Sequence, residues 1–186
     1  MEAVYSLAFI PDAPIIEKVK TMKLNLADKI GWFNSKNSLA HITICEFTLN
    51  ESTWEQMEKK ISATIATFTP FNVELNGFNH YPNGAFYITP GIESKKVLKE
   101  IMKSVTTSVP VKNQHKSSDP HLSIARRLNP EQLKKATQMF TSIHESFICD
   151  AIYLRRFNAE IKQFDVIKSY PFLSQFPSTG IQTSMF

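Results

Sequence analysis

The chain has 186 residues, 42% of them hydrophobic, and 21 Lys and Arg against 17 Asp and Glu give a formal charge of +4. That length and apolar content sustain one buried core, and the modest positive charge suits a small anion or an RNA end rather than a long nucleic-acid track. Two cysteines, Cys45 and Cys149, are too few for a disulfide framework or a metal site. A reducing cytoplasm is therefore expected, and no run reads as a signal peptide or a transmembrane span.

Residues 4–10 read as a strand that Pro11-Asp12-Ala13-Pro14 converts into a helix start. Ile15, Ile16, Val19, Met22, Leu26 and Ile30 then recur at helical spacing up to Gly31. The next strand, about residues 39–47, contains His41-Ile42-Thr43-Ile44, and Asn50-Glu51-Ser52 caps a helix that carries Trp54, Met57, Ile61, Ile65 and Phe68 and closes at Pro70. Residues 71–78 and 85–89 flank the turn Tyr81-Pro82-Asn83-Gly84 and predict a hairpin. Residues 93–109 read as a helix, 111–120 as a polar loop, and 121–128 as a strand containing His121-Leu122-Ser123-Ile124. Asn129-Pro130-Glu131 starts a helix through Leu133, Ala136, Phe140 and Ile143, with proline at its first position. Residues 147–157 and 161–170 form a last hairpin, and residues 174–186 are expected as a loosely held tail.

The two histidine strands each read histidine, apolar, hydroxyl, apolar. Alternation along a strand puts His41 with Thr43 on one face and Ile42 with Ile44 on the other, and His121 with Ser123 repeats the arrangement. Two of five histidines meeting this pattern by accident is on the order of one in a thousand from ordinary residue usage. Two imidazoles can place a base on one side of a reacting phosphorus and an acid on the other, while hydroxyls hold the non-bridging oxygens. The order of elements repeats between the halves, and Leu49-Asn50-Glu51 has a counterpart in Leu128-Asn129-Pro130-Glu131. Two such halves facing one another would bring both histidines into one cleft.

In motif order and spacing, over about residues 3–173, the chain resembles the two-histidine phosphoesterase superfamily and, within it, the proteins called 2′-5′ RNA ligase-like or cyclic phosphodiesterases. The resemblance implies an α+β bilobal fold, with two antiparallel sheets forming a central cleft and helices packed outside. It implies one domain over residues 1–173 with one His-x-Thr/Ser motif per half. It also implies metal-independent cleavage of cyclic phosphates or 2′-5′ phosphodiesters at RNA ends or in small nucleotides, with no cofactor. His41 and His121 would then be the acid and base, and Thr43 and Ser123 would bond the phosphoryl oxygens. The protein is expected to be a cytoplasmic monomer.

The family often carries an arginine five positions after its second histidine, here Arg126, as a phosphate ligand. Strand parity instead favours Arg127. Tyr87 is a candidate to stack a nucleobase, against the commoner role of a strand aromatic in the core. Cys45 shares the parity of His41 and Thr43 and reads as a packing residue. Of Arg155 and Arg156, at least one is expected to face water. The rival reading is a nucleotide- or RNA-end-binding module that keeps the fold without catalysis.

Overall fold

Asp12 converts the first strand into the first helix by accepting the Ile15 N–H at 3.3 Å, with Pro14 just inside the helix where its missing N–H is harmless. The computed structural model describes residues 2–109, 111 and 114–175, without the side chains of Glu51 and Ser52. In chain order the elements are β1 Glu2–Phe9, α1 Ala13–Ile30, β2 Ile42–Asn50, α2 Glu51–Ala66, β3 Phe71–His80, β4 Phe86–Pro90 and α3 Ile92–Ser108. There follow β5 His115–Lys116, β6 Leu122–Ala125, α4 Pro130–Met139, β7 His144–Cys149, β8 Ala151–Asn158 and β9 Gln163–Pro171. The fold is α+β, as expected. Asn129 caps α4 with a reciprocal capping box, its side chain accepting the Gln132 N–H at 2.9 Å while the Gln132 side chain accepts the Asn129 N–H at 3.1 Å.

The strands run β7-β3-β4-β6-β2-β1-β8-β9, with β5 paired to β2 beside β6. The two four-stranded lobes meet at β6 and β2, the strands that carry the histidine motifs, through the antiparallel pair Ile42 and Leu122. Each lobe takes strands from both halves of the sequence. The expected strand over residues 147–157 is in fact two: Cys149 ends β7 at one end of the path, and Ala151 begins β8 near the other. Asp150 alone spans the change, so the sheet must curl until its ends approach, because one residue bridges only about 7 Å. The break is hard to read in the sequence because apolar residues, Phe147-Ile148-Cys149 and Ala151-Ile152-Tyr153-Leu154, lie on both sides of Asp150.

The apolar face of the central strands forms the core: Leu7, Phe9, Ile42, Ile44, Cys45, Phe47, Leu122 and Ile124 are all buried. α1 packs on α4 and β6, while α2 packs on α3, β2 and β9. The Tyr81-Pro82-Asn83-Gly84 turn forms as expected, with Tyr81 N–H donating to the Ala85 carbonyl at 2.9 Å. Gly84 sits at φ +79°, where a Cβ would lie 2.1 Å from the Leu128 carbonyl oxygen, so no other residue fits. Ser174 and Gln175, the start of the expected tail, donate backbone hydrogen bonds to the Phe68 and Ala66 carbonyls at 2.9 Å. The rest of that tail lies outside the described residues.

Candidate active site

His41 and His121 immediately precede β2 and β6. Continuing the Ile42–Leu122 register by one residue each way puts His41 opposite Ser123 and Thr43 opposite His121. The two imidazoles are then diagonal neighbours on one face, with backbones about 7–8 Å apart. All four side chains are half-buried, reachable from one side.

The two rings are held alike. Nδ1 of His41 bonds to the Leu39 carbonyl at 2.6 Å, and Nδ1 of His121 to the Asp119 carbonyl at 2.8 Å. A carbonyl only accepts, so each Nδ1 carries the proton and each Nε2 is the nitrogen left for proton transfer. Backbone geometry thus fixes both tautomers in the same sense.

One extra residue in each histidine strand decides what stands beyond the motif. On β2, Leu7 pairs with Cys45 and Ala8 with Thr43, leaving Ile44 as a bulge; on β6, Tyr87 pairs with Ser123 and Phe86 with Ala125, leaving Ile124 as a bulge. A bulge shifts face parity by one. Cys45 therefore turns into the core rather than sharing the face of His41 and Thr43, and burial raises its thiol to about 11. Parity likewise passes from Arg127 to Arg126, which sits on the histidine face, its N–H donating to the Asn34 carbonyl at 3.1 Å. Arg127 takes φ +58° and leaves the strand. Glu46 occupies after His41 the place Arg126 occupies after His121.

Around His41 the site is cationic. Lys23 of α1, 2% exposed, reaches the Ser38 carbonyl at 2.8 Å and the Ser38 hydroxyl at 3.0 Å. Arg155 of β8, also 2% exposed, donates to the Ser6 hydroxyl at 2.6 Å and lies over the Phe164 ring at 5.2 Å. Ser6 pairs with Glu46 on one side and Arg155 on the other, so all three share the face of Thr43. Burial first, then the Arg155 guanidinium, with smaller contributions from Lys23 and Arg126, holds the His41 imidazole well below its ordinary value of 6.5, although the Leu39 carbonyl works the other way. Burial and then Arg126 bring the Lys23 ammonium down to about 8.

Around His121 the site is aromatic, and the Asp119 carboxylate beside it is matched by lysines. The ring lies 4.9 Å from Tyr87 and 5.4 Å, edge-on, from Tyr81, whose ring is 4.6 Å from that of Tyr87. The Tyr81 hydroxyl donates to the Asp119 carboxylate, and Lys95 of α3 meets the same carboxylate at 2.8 Å, with Lys99 at 3.7 Å. Burial opposes ionisation of Asp119, yet Lys95 and Tyr81 hold it below its ordinary value. The residue whose carbonyl fixes His121 is thus itself clamped by three side chains. Tyr87 is only 4% exposed and packs its ring on His121, so it has no free face for a nucleobase and the stacking expected of it does not fit. Tyr81, Lys95, Asp119 and Lys23 escaped the sequence reading; the one signal was Asp119 standing two residues before His121, as Leu39 does before His41.

A curled antiparallel α+β fold with two His-x-Thr/Ser motifs on adjoining central strands defines a two-histidine phosphoesterase. Residues 11–160 match the family described as the 2′-5′ RNA ligase superfamily, and the chain belongs to it. Its fold is shared by E. coli LigT in complex with NADP+, at 12% identity and a TM-score of 0.63 over 93% of this chain and 99% of that one. TT0787 of Thermus thermophilus is similar at 14% identity and a TM-score of 0.66 over 91% and 98% of the two chains. Kluyveromyces marxianus Usb1 is similar at 15% identity and a TM-score of 0.58, again over 91% and 98%. No curated protein sequence matches the chain.

Proposed function

We propose that this protein is a metal-independent phosphodiesterase acting on cyclic phosphates or 2′-5′ phosphodiesters of RNA ends or small nucleotides, with His41 and His121 as its acid–base pair. The observation that carries the reading is the matched pair of Nδ1 hydrogen bonds to backbone carbonyls, which leaves two Nε2 atoms beside two hydroxyls on one face. On a 2′,3′-cyclic phosphate one Nε2 takes a proton from water as it attacks phosphorus in line, and the other gives a proton to the departing ribose oxygen. His41, kept neutral by burial and by its cationic neighbours, is the base in this direction, and His121 is the acid. Thr43 and Ser123 donate to the non-bridging oxygens, and Arg126 meets the phosphate charge.

That E. coli LigT is solved with 3′-AMP and with ATP supports a nucleotide as the ligand. The same reading takes residues 1–173 as one bilobal unit and the protein as a cytoplasmic monomer. Its cysteines, Cys45 and Cys149, are both buried and free, and no helix among the described residues is long and apolar enough to cross a membrane.

The test is hydrolysis, with EDTA present, of 2′,3′-cyclic nucleotides, a 2′-5′ dinucleotide and ADP-ribose 1″,2″-cyclic phosphate. Loss of general acid–base catalysis should lower turnover by about 10²–10⁴-fold in His41→Ala and in His121→Ala. Binding without turnover in the wild type would move the assignment to a non-catalytic nucleotide-binding module.

A further inference from the structure

Each imidazole is fixed by a carbonyl two residues before it, Leu39 for His41 and Asp119 for His121, and neither carbonyl belongs to a strand. A loop carbonyl aims a ring only as well as the loop itself is held. In each half the grip comes from a lysine on the last helix before the histidine strand, Lys23 of α1 and Lys95 of α3. Lys23 Nζ donates to the Ser38 carbonyl at 2.8 Å, part of the peptide unit that enters Leu39, and to the Ser38 hydroxyl at 3.0 Å. That hydroxyl donates onward to the Ser35 carbonyl at 2.9 Å, and Ser35 Oγ donates to the Ile124 carbonyl of β6 at 3.2 Å. On the other side Lys95 Nζ meets Asp119 Oδ1 at 2.8 Å, while the Tyr81 hydroxyl donates to Oδ2.

Lys23 is not the residue that stability alone would choose. It is 2% exposed and in no ion pair among the described residues, and an apolar side chain of its length would fill the space with no charge to desolvate. What the ammonium supplies and an apolar chain lacks is two directed bonds to the residue next to Leu39. Lys95 is tied in the same way to the residue whose own carbonyl fixes His121. We infer that Lys23 and Lys95 are positioning residues, one for each histidine, each holding the loop whose carbonyl accepts from Nδ1 and so keeping Nε2 turned to the reacting centre. A neutral imidazole without that acceptor shares its proton between both nitrogens, and a proton on Nε2 disables His41 as a base. The use made of Nε2 rests on the phosphodiesterase reading, whereas the tethers are read from the hydrogen bonds alone.

The experiment is nitrogen-15 NMR of the full chain with labelled histidine at about pH 7.5, above the ordinary imidazole value of about 6.5, where the ring nitrogens report which of them holds the proton. His41→Ala and His121→Ala assign the two signals among the five histidines. Both rings should be protonated at Nδ1 in the wild type. Lys23→Met should move His41 toward a mixture of tautomers and leave His121 unchanged. Lys95→Met combined with Lys99→Met, which removes the second cation 3.7 Å from Asp119, should do the reverse. Lys95→Arg in the Lys99→Met background keeps a cation on the carboxylate and should match the wild type. Turnover of 2′,3′-cyclic nucleotides should fall about tenfold in kcat in Lys23→Met and in the double lysine variant, with KM within about twofold, while Lys23→Met unfolds at no lower temperature than the wild type. Unchanged ring nitrogens in both variants, both rings disturbed by either variant, or a loss of turnover in Lys23→Met that comes with lost stability would each overturn the assignment. If no substrate is turned over in a histidine-dependent way, the phosphodiesterase reading fails, and the ring nitrogens still decide the tethers.

Discussion

Lys23→Met removes a buried ammonium that is in no ion pair among the described residues, and the protein should become more stable. Burial lowers the Lys23 pKa from 10.5 to about 8, so holding the charge at neutral pH costs about 3 kcal/mol at 1.36 kcal/mol for each pKa unit. The two bonds to Ser38 offset part of this, about 1 kcal/mol apiece. Methionine fills the same volume without the charge, so a net gain of about 1–2 kcal/mol is expected, or a rise in Tm of roughly 2–6 °C for a chain of this size. The sign in pH is definite. The folded state releases the Lys23 proton near 8 and the unfolded chain near 10.5, so wild-type stability rises relative to Lys23→Met as pH climbs through that window. Urea unfolding of both proteins at intervals from pH 7 to 10.5 measures the difference. A variant that is less stable at pH 7, with a difference that stays flat in pH, would refute the reasoning.

His41 should keep its base form below pH 6.5, so the acid limb of kcat/KM is expected below that value; the unfolded chain takes the proton near 6.5 and the folded one does not, so stability falls as pH drops beneath 6.5. A midpoint at or above 6.5 for the His41 ring proton by NMR contradicts this. Tyr81→Phe keeps the ring packing but frees one side of Asp119, and should lower kcat by about 3–10-fold with KM unchanged and with a displaced pH profile, while unfolding shifts by no more than about 1.5 kcal/mol. An unchanged profile would make the Tyr81 hydroxyl merely structural. Gly84→Ala forces a Cβ against the Leu128 backbone at φ +79° and should cost upwards of about 3 kcal/mol, read by thermal unfolding.

Most of what the chain is was legible in its residues because it depends on local rules. Periodicity separated helices from strands, Asp12 and Asn129 marked helix starts, and Tyr81-Pro82-Asn83-Gly84 marked a hairpin. The paired His-x-Thr/Ser pattern named four residues because strand alternation alone puts each imidazole with its hydroxyl on one face. Tertiary structure decided the rest. The bulges at Ile44 and Ile124 exist only against the partner strands, and they sent Cys45 inward and chose Arg126 over Arg127. The break at Asp150 depends on which strands β7 and β8 join, something the apolar residues on either side of it do not encode. Lys23, Arg155, Tyr81 and Asp119 come from four separate segments, and only the curl of the sheet brings their charges to one side or the other of the histidine pair. Sequence set the chemistry each strand carries; the packing of distant strands set the electrostatic difference between two otherwise matched imidazoles.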